Sequence, residues 1–161
     1  RDKKFKSLIS IFKGIYRILI PNESLRKLSN QKNYIYAQDF IPDNKYDIRV
    51  IVIGDKAFGI KRYVREGDFR ASGSGIIDHD HKQIPIECLK IAFDVSEKLQ
   101  SQSLAFDFVF INEKPLIVEI SYAFSRKGYI DCTGYCNTKL EWIEKNFTPE
   151  FFIIENLLKE K

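Results

Sequence analysis

The sequence predicts an α+β domain built on a largely antiparallel sheet with flanking helices. Two hairpin patterns and one stretch of helical periodicity carry that expectation. Residues 48–54 (IRVIVIG) and 57–63 (AFGIKRY) are strand-like runs joined by a tight Gly54-Asp55-Lys56 turn. Residues 104–110 (LAFDFVF) and 115–121 (PLIVEIS) repeat the pattern around Asn112-Glu113-Lys114. Between the two pairs, Cys88, Ala92, Val95 and Leu99 fall along one stripe of a helix that starts with Pro85 in its first position and runs to about Gln100.

The remaining elements follow in order. Phe5, Leu8, Ile9, Phe12, Ile15, Tyr16 and Leu19 recur at helical spacing over 5–19, and Pro21-Asn22 ends that helix. YIYAQDFI, residues 34–41, reads as a strand before a Pro42-Asp43-Asn44 turn. Residues 64–83, rich in Gly, Asp, Ser and Arg, read as loop. A short helix is expected around Leu140–Lys145 and a last one near Pro149–Lys159. The organisation is a helical lead-in, residues 1–33, followed by one unit over 34–161. At 161 residues and 44% apolar content the chain can bury one ordinary core.

Charge and cysteine content narrow the classes. The net charge of +4 is uneven: residues 1–32 hold nine Lys/Arg against two Asp/Glu. A solvated helix face accounts for such a segment, and nucleic acid or anionic lipid is the alternative. No run of about 18 apolar residues exists to span a membrane. Arg1-Asp2-Lys3-Lys4 carries neither an initiator Met nor a signal-peptide pattern, so the chain reads as a fragment of a longer protein. Cys88, Cys132 and Cys136 are odd in number and lack a C-x-x-C spacing, which argues against a disulfide framework or structural zinc and fits a reducing cytoplasm. His79 and His81, flanked by Asp78 and Asp80, read as a solvated turn, with adventitious metal binding as the alternative.

The chemical signal is a pair of carboxylates. Alternation sets Ala105, Asp107 and Val109 on one face of their strand, and Ile117, Glu119 and Ser121 on one face of theirs. A hairpin centred on Glu113 places Val109 opposite Ile117, Asp107 opposite Glu119, and Ala105 opposite Ser121. Directly opposed Cβ atoms lie roughly 4.5–5.5 Å apart, where like charges destabilise the pair. A divalent cation resolves the conflict, since carboxylate oxygens suit Mg²⁺. Pairing of each carboxylate with a nearby Arg or Lys, or a proton shared between them, resolves it as well. All three readings are open at this point. Upstream, Lys61, Arg62, Arg65 and Arg70 precede Gly73 and Gly75, a combination suited to phosphate but without the Walker A spacing. Asp47 and Arg49 open the preceding strand and add one acid and one base to the same mouth.

The order of these segments, YAQDFIP, YDIRVIVIGDKAFGIKR, EGDFRASGSG, AFDFVF and IVEIS, resembles the carboxy-terminal half of ATP-grasp ligases. The likeness runs from about Tyr34 to Ser121. It is greatest to RimK-type glutamate ligases and to ATP-grasp proteins of bacterial surface-polysaccharide biosynthesis. The resemblance implies ATP and Mg²⁺ as cofactors, a carboxylate and an amine as small-molecule substrates, no nucleic-acid partner, and C–N bond formation through an acyl phosphate. It implies that Gln38, Asp39, Phe40 and Ile41 form a hinge at the adenine and ribose, and that Asp47 is a further nucleotide-contacting acid. Arg49 and Arg62 match arginines on the phosphate and substrate side, while Arg70, Ala71 and Ser72 match a loop approaching the nucleotide or acyl phosphate; Arg49, Arg62 and Arg70 are the arginines that would steady the developing charge. Asp107 and Glu119 match the metal ligands, with Ser121 at the third metal contact, where these ligases usually carry Asn and where a water would intervene for the shorter serine. The glycine-rich loop and lysine of the first ATP-grasp subdomain do not occur before Tyr34, so an upstream subdomain is expected outside this chain. A non-catalytic nucleotide-binding or scaffold protein of the same fold is the alternative.

Overall fold

A computed structural model describes residues 35–68 and 70–159. The chain divides into two compact units, residues 1–39 and 40–161. The helix expected over 5–19 and the lead-in segment 1–33 lie outside the described residues. Residues 35–41 are irregular rather than the expected strand, and Ile35 and Tyr36 are exposed. Among the described strands none pairs with this segment, and alternation without a ladder partner makes no strand.

The second unit is a seven-stranded sheet whose neighbours all run antiparallel, as the sequence predicts. In chain order the elements are β1 (Tyr46–Ile53), β2 (Lys56–Tyr63), β3 (Ile77–Asp78), α1 (Ile86–Lys98), β4 (Ser103–Ile111), β5 (Lys114–Ser121), β6 (Gly134–Asn137), β7 (Trp142–Glu144) and α2 (Pro149–Lys159). The spatial order is β5-β4-β1-β2-β6-β7, with β3 also on β2. β1 therefore sits between β2 and β4, and Ile48 and the four residues Val50–Ile53 are fully buried. Gly54 turns the β1–β2 hairpin with φ +56 at the first of its two central residues, a position that primed turns give to glycine.

Each sheet face carries its own core. On one, Ile48, Val50, Val52, Leu104, Phe106 and Phe108 pack against Cys88 and Ala92 of α1. The predicted stripe of α1 holds at Cys88 and Ala92 and then veers: Ser96 is buried, Val95 is partly buried, and Leu99 is 55% exposed as the C-cap. Pro85 is the N-cap rather than the first helical residue. On the other face, Ile51, Ile53, Phe58, Ile60 and Ala105 meet Tyr129, Cys132, Tyr135 and Phe152 of α2.

The helix expected around 140–145 is instead the second arm of a hairpin. The Asn137 side-chain oxygen accepts from the Lys139 and Glu141 amides, and Leu140 takes φ +64. Capturing those two N–H groups turns the chain back at the point where a helix would need them. Trp142–Glu144 then pairs with β6.

Candidate functional site

The candidate site lies on the sheet face that carries α2, where that face changes from apolar to charged. Along β1 the side chains on this face are Asp47, Arg49, Ile51 and Ile53, so the strand is polar at its start and core at its end. Asp47 is the register partner of Arg62 on β2, and Arg49 that of Asp107 on β4. Three neighbouring strands thus bring two acids and two arginines into one patch.

The contacts are paired forks. Arg62 Nε and Nη2 donate to Asp47 Oδ1 and Oδ2 at 2.6 and 2.7 Å. Arg49 Nε donates to Asp107 Oδ1, and its Nη2 to Oδ2 at 2.8 Å. Arg62 Nη2 also reaches Asp107 Oδ2 at 2.9 Å and ties the two forks together. The side chains of Arg62 and Asp107 are each only 7% exposed. Bidentate charge-assisted bonds of this kind are the geometry that offsets removing two charges from water.

Burial works against the charge on both arginines. The hydrogen bonds and charges of Asp107 for Arg49, and of Asp47 and Asp107 for Arg62, outweigh it and raise both guanidiniums above their ordinary range. Burial is also the main influence on Asp47 and pushes its carboxyl up against the pull of Arg62. Tyr129, 4% exposed, has a hydroxyl pushed up to about 12, chiefly by burial and against the pull of the Arg49 and Arg62 charges. His79 Nε2 donates to the Gly128 carbonyl at 3.0 Å, next to that tyrosine. His81 instead stacks on Trp142, with centroids 3.9 Å apart, so the two histidines serve different contacts.

The carboxylate hairpin pairs Asp107 with Glu119 and Ala105 with Ser121, as the sequence predicts. Nearer the turn the expected register fails. Ile111 pairs with Lys114 around a two-residue turn, Asn112-Glu113, with φ +49 and +65. Phe108 then faces Ile117 and Val109 faces Leu116, one residue away from the expected Val109–Ile117 pair. The difference is absorbed at Val118, the extra residue of a β-bulge opposite Asp107 and Phe108. Ile117 consequently packs with the α1-side core, whereas Glu119 lies on the Asp107 side. The bulge lets a tight turn and a matched pair of carboxylates coexist in one hairpin.

Asp107 is buried among the arginines, while Glu119 is exposed and accepts from Ser121 Oγ at 2.8 Å. Among the described residues no group of three or more His, Cys, Asp and Glu could hold a metal ion. Two opposed carboxylates with an adjacent hydroxyl do form an all-oxygen set open to solvent at Glu119. That suits a Mg²⁺ ion that draws its remaining ligands from water and phosphate, so the residues fit the ion.

The other candidates lie apart in sequence. Arg70 is exposed and grips Asp68 through Nε and Nη2 at 3.0 and 2.9 Å, which raises its guanidinium. Ala71 is 5% exposed, Ser72 is exposed, and Arg65 Nη2 donates to the carbonyl of Gly73, whose φ is +75. Gln38 and Asp39 belong to the first unit and Phe40 and Ile41 to the second, all in irregular chain. Tyr129 was invisible to pattern reasoning, since a lone tyrosine in a Gly/Cys/Tyr loop follows no period.

Known proteins resemble this chain over most of its length. A probable alpha-L-glutamate ligase of Citrobacter koseri is 28% identical over 123 residues, covering 73% of this chain and 41% of its own length. A ribosomal protein bS6–L-glutamate ligase of Salmonella paratyphi B, and that of Salmonella typhi, match at the same identity and coverage. The chain therefore spans about 41% of the length of these relatives. The RimK-like ATP-grasp domain profile matches residues 5–139, which takes in the arginine–aspartate patch and both of its hairpins. With most of its length matched and its charged strands in that order, the chain belongs to the RimK-like ATP-grasp family.

Proposed function

We propose that this chain is part of an ATP- and Mg²⁺-dependent carboxylate–amine ligase. The observation that carries the reading is the Asp107–Glu119 register pair beside Arg49 and Arg62 on one sheet face, buried at Asp107 and open to solvent at Glu119. In the proposed reaction a substrate carboxylate oxygen attacks the γ-phosphorus of ATP and ADP leaves. An amine nitrogen then attacks the acyl carbon, phosphate leaves, and the nitrogen loses its proton. Phosphoryl transfer of this kind asks mainly for positioning and charge neutralisation.

The residues divide that work. Asp107 and Glu119 would hold Mg²⁺, whose chemistry is to neutralise and align phosphate oxygens, with Ser121 steadying Glu119. Arg49 and Arg62 would meet the charge that develops on the transferring group. Asp47, with both oxygens on Arg62, would set the direction of that guanidinium. Arg70, Ala71 and Ser72 would approach the nucleotide from their loop, and Gln38, Asp39, Phe40 and Ile41 would line the adenine side. The names of the relatives point to glutamate as one of the substrates. A part in bacterial surface-polysaccharide biosynthesis rests on motif likeness alone. Three free thiols suit a reducing, cytoplasmic setting. No described helix is long and apolar enough to cross a membrane.

Thermal unfolding with and without Mg²⁺-ADP tests the reading. Ligand at a hundred times its dissociation constant adds about 2.7 kcal/mol of stability. We expect a Mg²⁺-dependent rise in Tm that Asp107→Asn and Glu119→Gln each abolish. The same protein extended upstream should respond more strongly. Silence from the extended protein would sink the ligase reading.

A further inference from the structure

We infer that Asp107 is the internal occupant of an anion site formed by Arg49 and Arg62, so that a divalent cation and a phosphate-bearing anion enter this site by exchanging partners together. The inference takes the class of both ligands from the proposed function. Its physical basis is the closed network itself. Asp107 Oδ2 accepts from both guanidiniums, at 2.8 and 2.9 Å, and Oδ1 accepts from Arg49. Asp47 fills the Nε side of Arg62, so two acids and two arginines balance to zero charge in a patch where no side chain is more than 18% exposed.

Either ligand alone meets a penalty in such a patch. A phosphate on the arginines displaces Asp107 and leaves a buried carboxylate without its partners. A cation that draws Asp107 away leaves two buried guanidiniums facing each other. Uncompensated buried charge is the most expensive state available to the network. When both arrive, Asp107 turns to the cation and the arginines turn to the anion, so every charge keeps a partner. Glu119 supplies the outer half of the cation site, being exposed and directly across from Asp107. The coupling is reciprocal by linkage: whatever the cation adds to anion affinity, the anion adds to cation affinity.

A prediction follows that a plain metal-ligand role for Asp107 does not make. Removing its charge should improve anion binding when no metal is present. The experiment is calorimetric titration of the whole polypeptide with inorganic pyrophosphate in EDTA. The wild type should bind weakly and Asp107→Asn about tenfold to a hundredfold more tightly, the scale of one freed charge-assisted hydrogen bond. Unchanged or weaker pyrophosphate binding by Asp107→Asn overturns the inference. Should that variant fail to fold, Arg49→Gln reads the other half. It loosens Asp107, leaves it on Arg62 alone, and should raise the affinity for Mn²⁺ without any anion by about tenfold, measured by electron paramagnetic resonance. An unaltered Mn²⁺ affinity overturns the inference just as firmly. The ligase reading fails separately: the variants behave as expected while the upstream-extended wild type ignores Mg²⁺-ADP.

Discussion

Arg62 donates through one nitrogen to two carboxylates, which makes it the joint of the charged patch. The same burial that holds this patch together silences the thiols. Cys88 and Cys132 are 0% and 7% exposed, and burial pushes both up to about 12. The Cys132 thiol donates to the Gly59 carbonyl at 3.7 Å. In the folded protein both thiols stay protonated, whereas in the unfolded chain they ionise near the ordinary thiol value of 9.0. Their stabilisation is therefore complete below about pH 9 and is lost as pH rises toward 12. Each contributes a slope of about 1.4 kcal/mol per pH unit within that window. Urea midpoints at several pH values should fall above pH 9, and less steeply for Cys132→Ala. A slope untouched by that substitution would place the titration elsewhere. The candidate site was half legible at this scale. Alternation, with a hairpin taken as centred on Glu113, matched Asp107 with Glu119, although the turn lies elsewhere and the Val118 bulge restores the pair. Which charge Asp107 meets depends on β1 lying between β2 and β4, a non-local strand order that no local pattern encodes.

At the scale of elements, the hairpin β4–β5 shows where sequence patterns stop. The alternation of PLIVEIS is continuous, so nothing in it marks Val118 as an inserted residue. The turn residues Asn112 and Glu113 both take positive φ, yet only Asn is a residue that tolerates it readily. A left-handed Glu113 at φ +65 stores backbone strain that glycine would not. Glu113→Gly should stabilise the protein by about 0.5–1 kcal/mol, net of the extra freedom glycine gives the unfolded chain. A higher urea midpoint at constant m would bear this out. A lower one would mean that the Glu113 side chain contributes more than its backbone costs. The β1–β2 turn was easier to read because Gly54 sits where the primed turn needs it. The 137–142 turn was hidden, because LEWIEK has helical composition and the deciding group is the side-chain oxygen of Asn137.

At the scale of the whole second unit, the sheet is a divider between two cores, and the candidate site shares a face with the one that α2 closes. Phe152 anchors α2 there, 6% exposed, with its ring centroid 4.9 Å from Tyr135 and 5.1 Å from Phe147. Tyr135 and Phe147 also pack on each other, and Phe147 packs on Phe58, so one ring connects the helix to β2. Truncating a buried aromatic of this kind costs about 3–5 kcal/mol. For a chain of this size that is a fall in Tm of roughly 6–20 °C. Neighbouring Phe151, 63% exposed on the same helix, should cost little when cut to alanine, and it serves as the control. Because the charged patch is held by its own forks on β1, β2 and β4, Phe152→Ala should lower stability while the Mg²⁺-ADP shift keeps its size below the new Tm. Loss of that shift in Phe152→Ala, with Phe151→Ala unaffected, would show instead that the aromatic cluster and the arginine–aspartate patch form one cooperative unit across the sheet face.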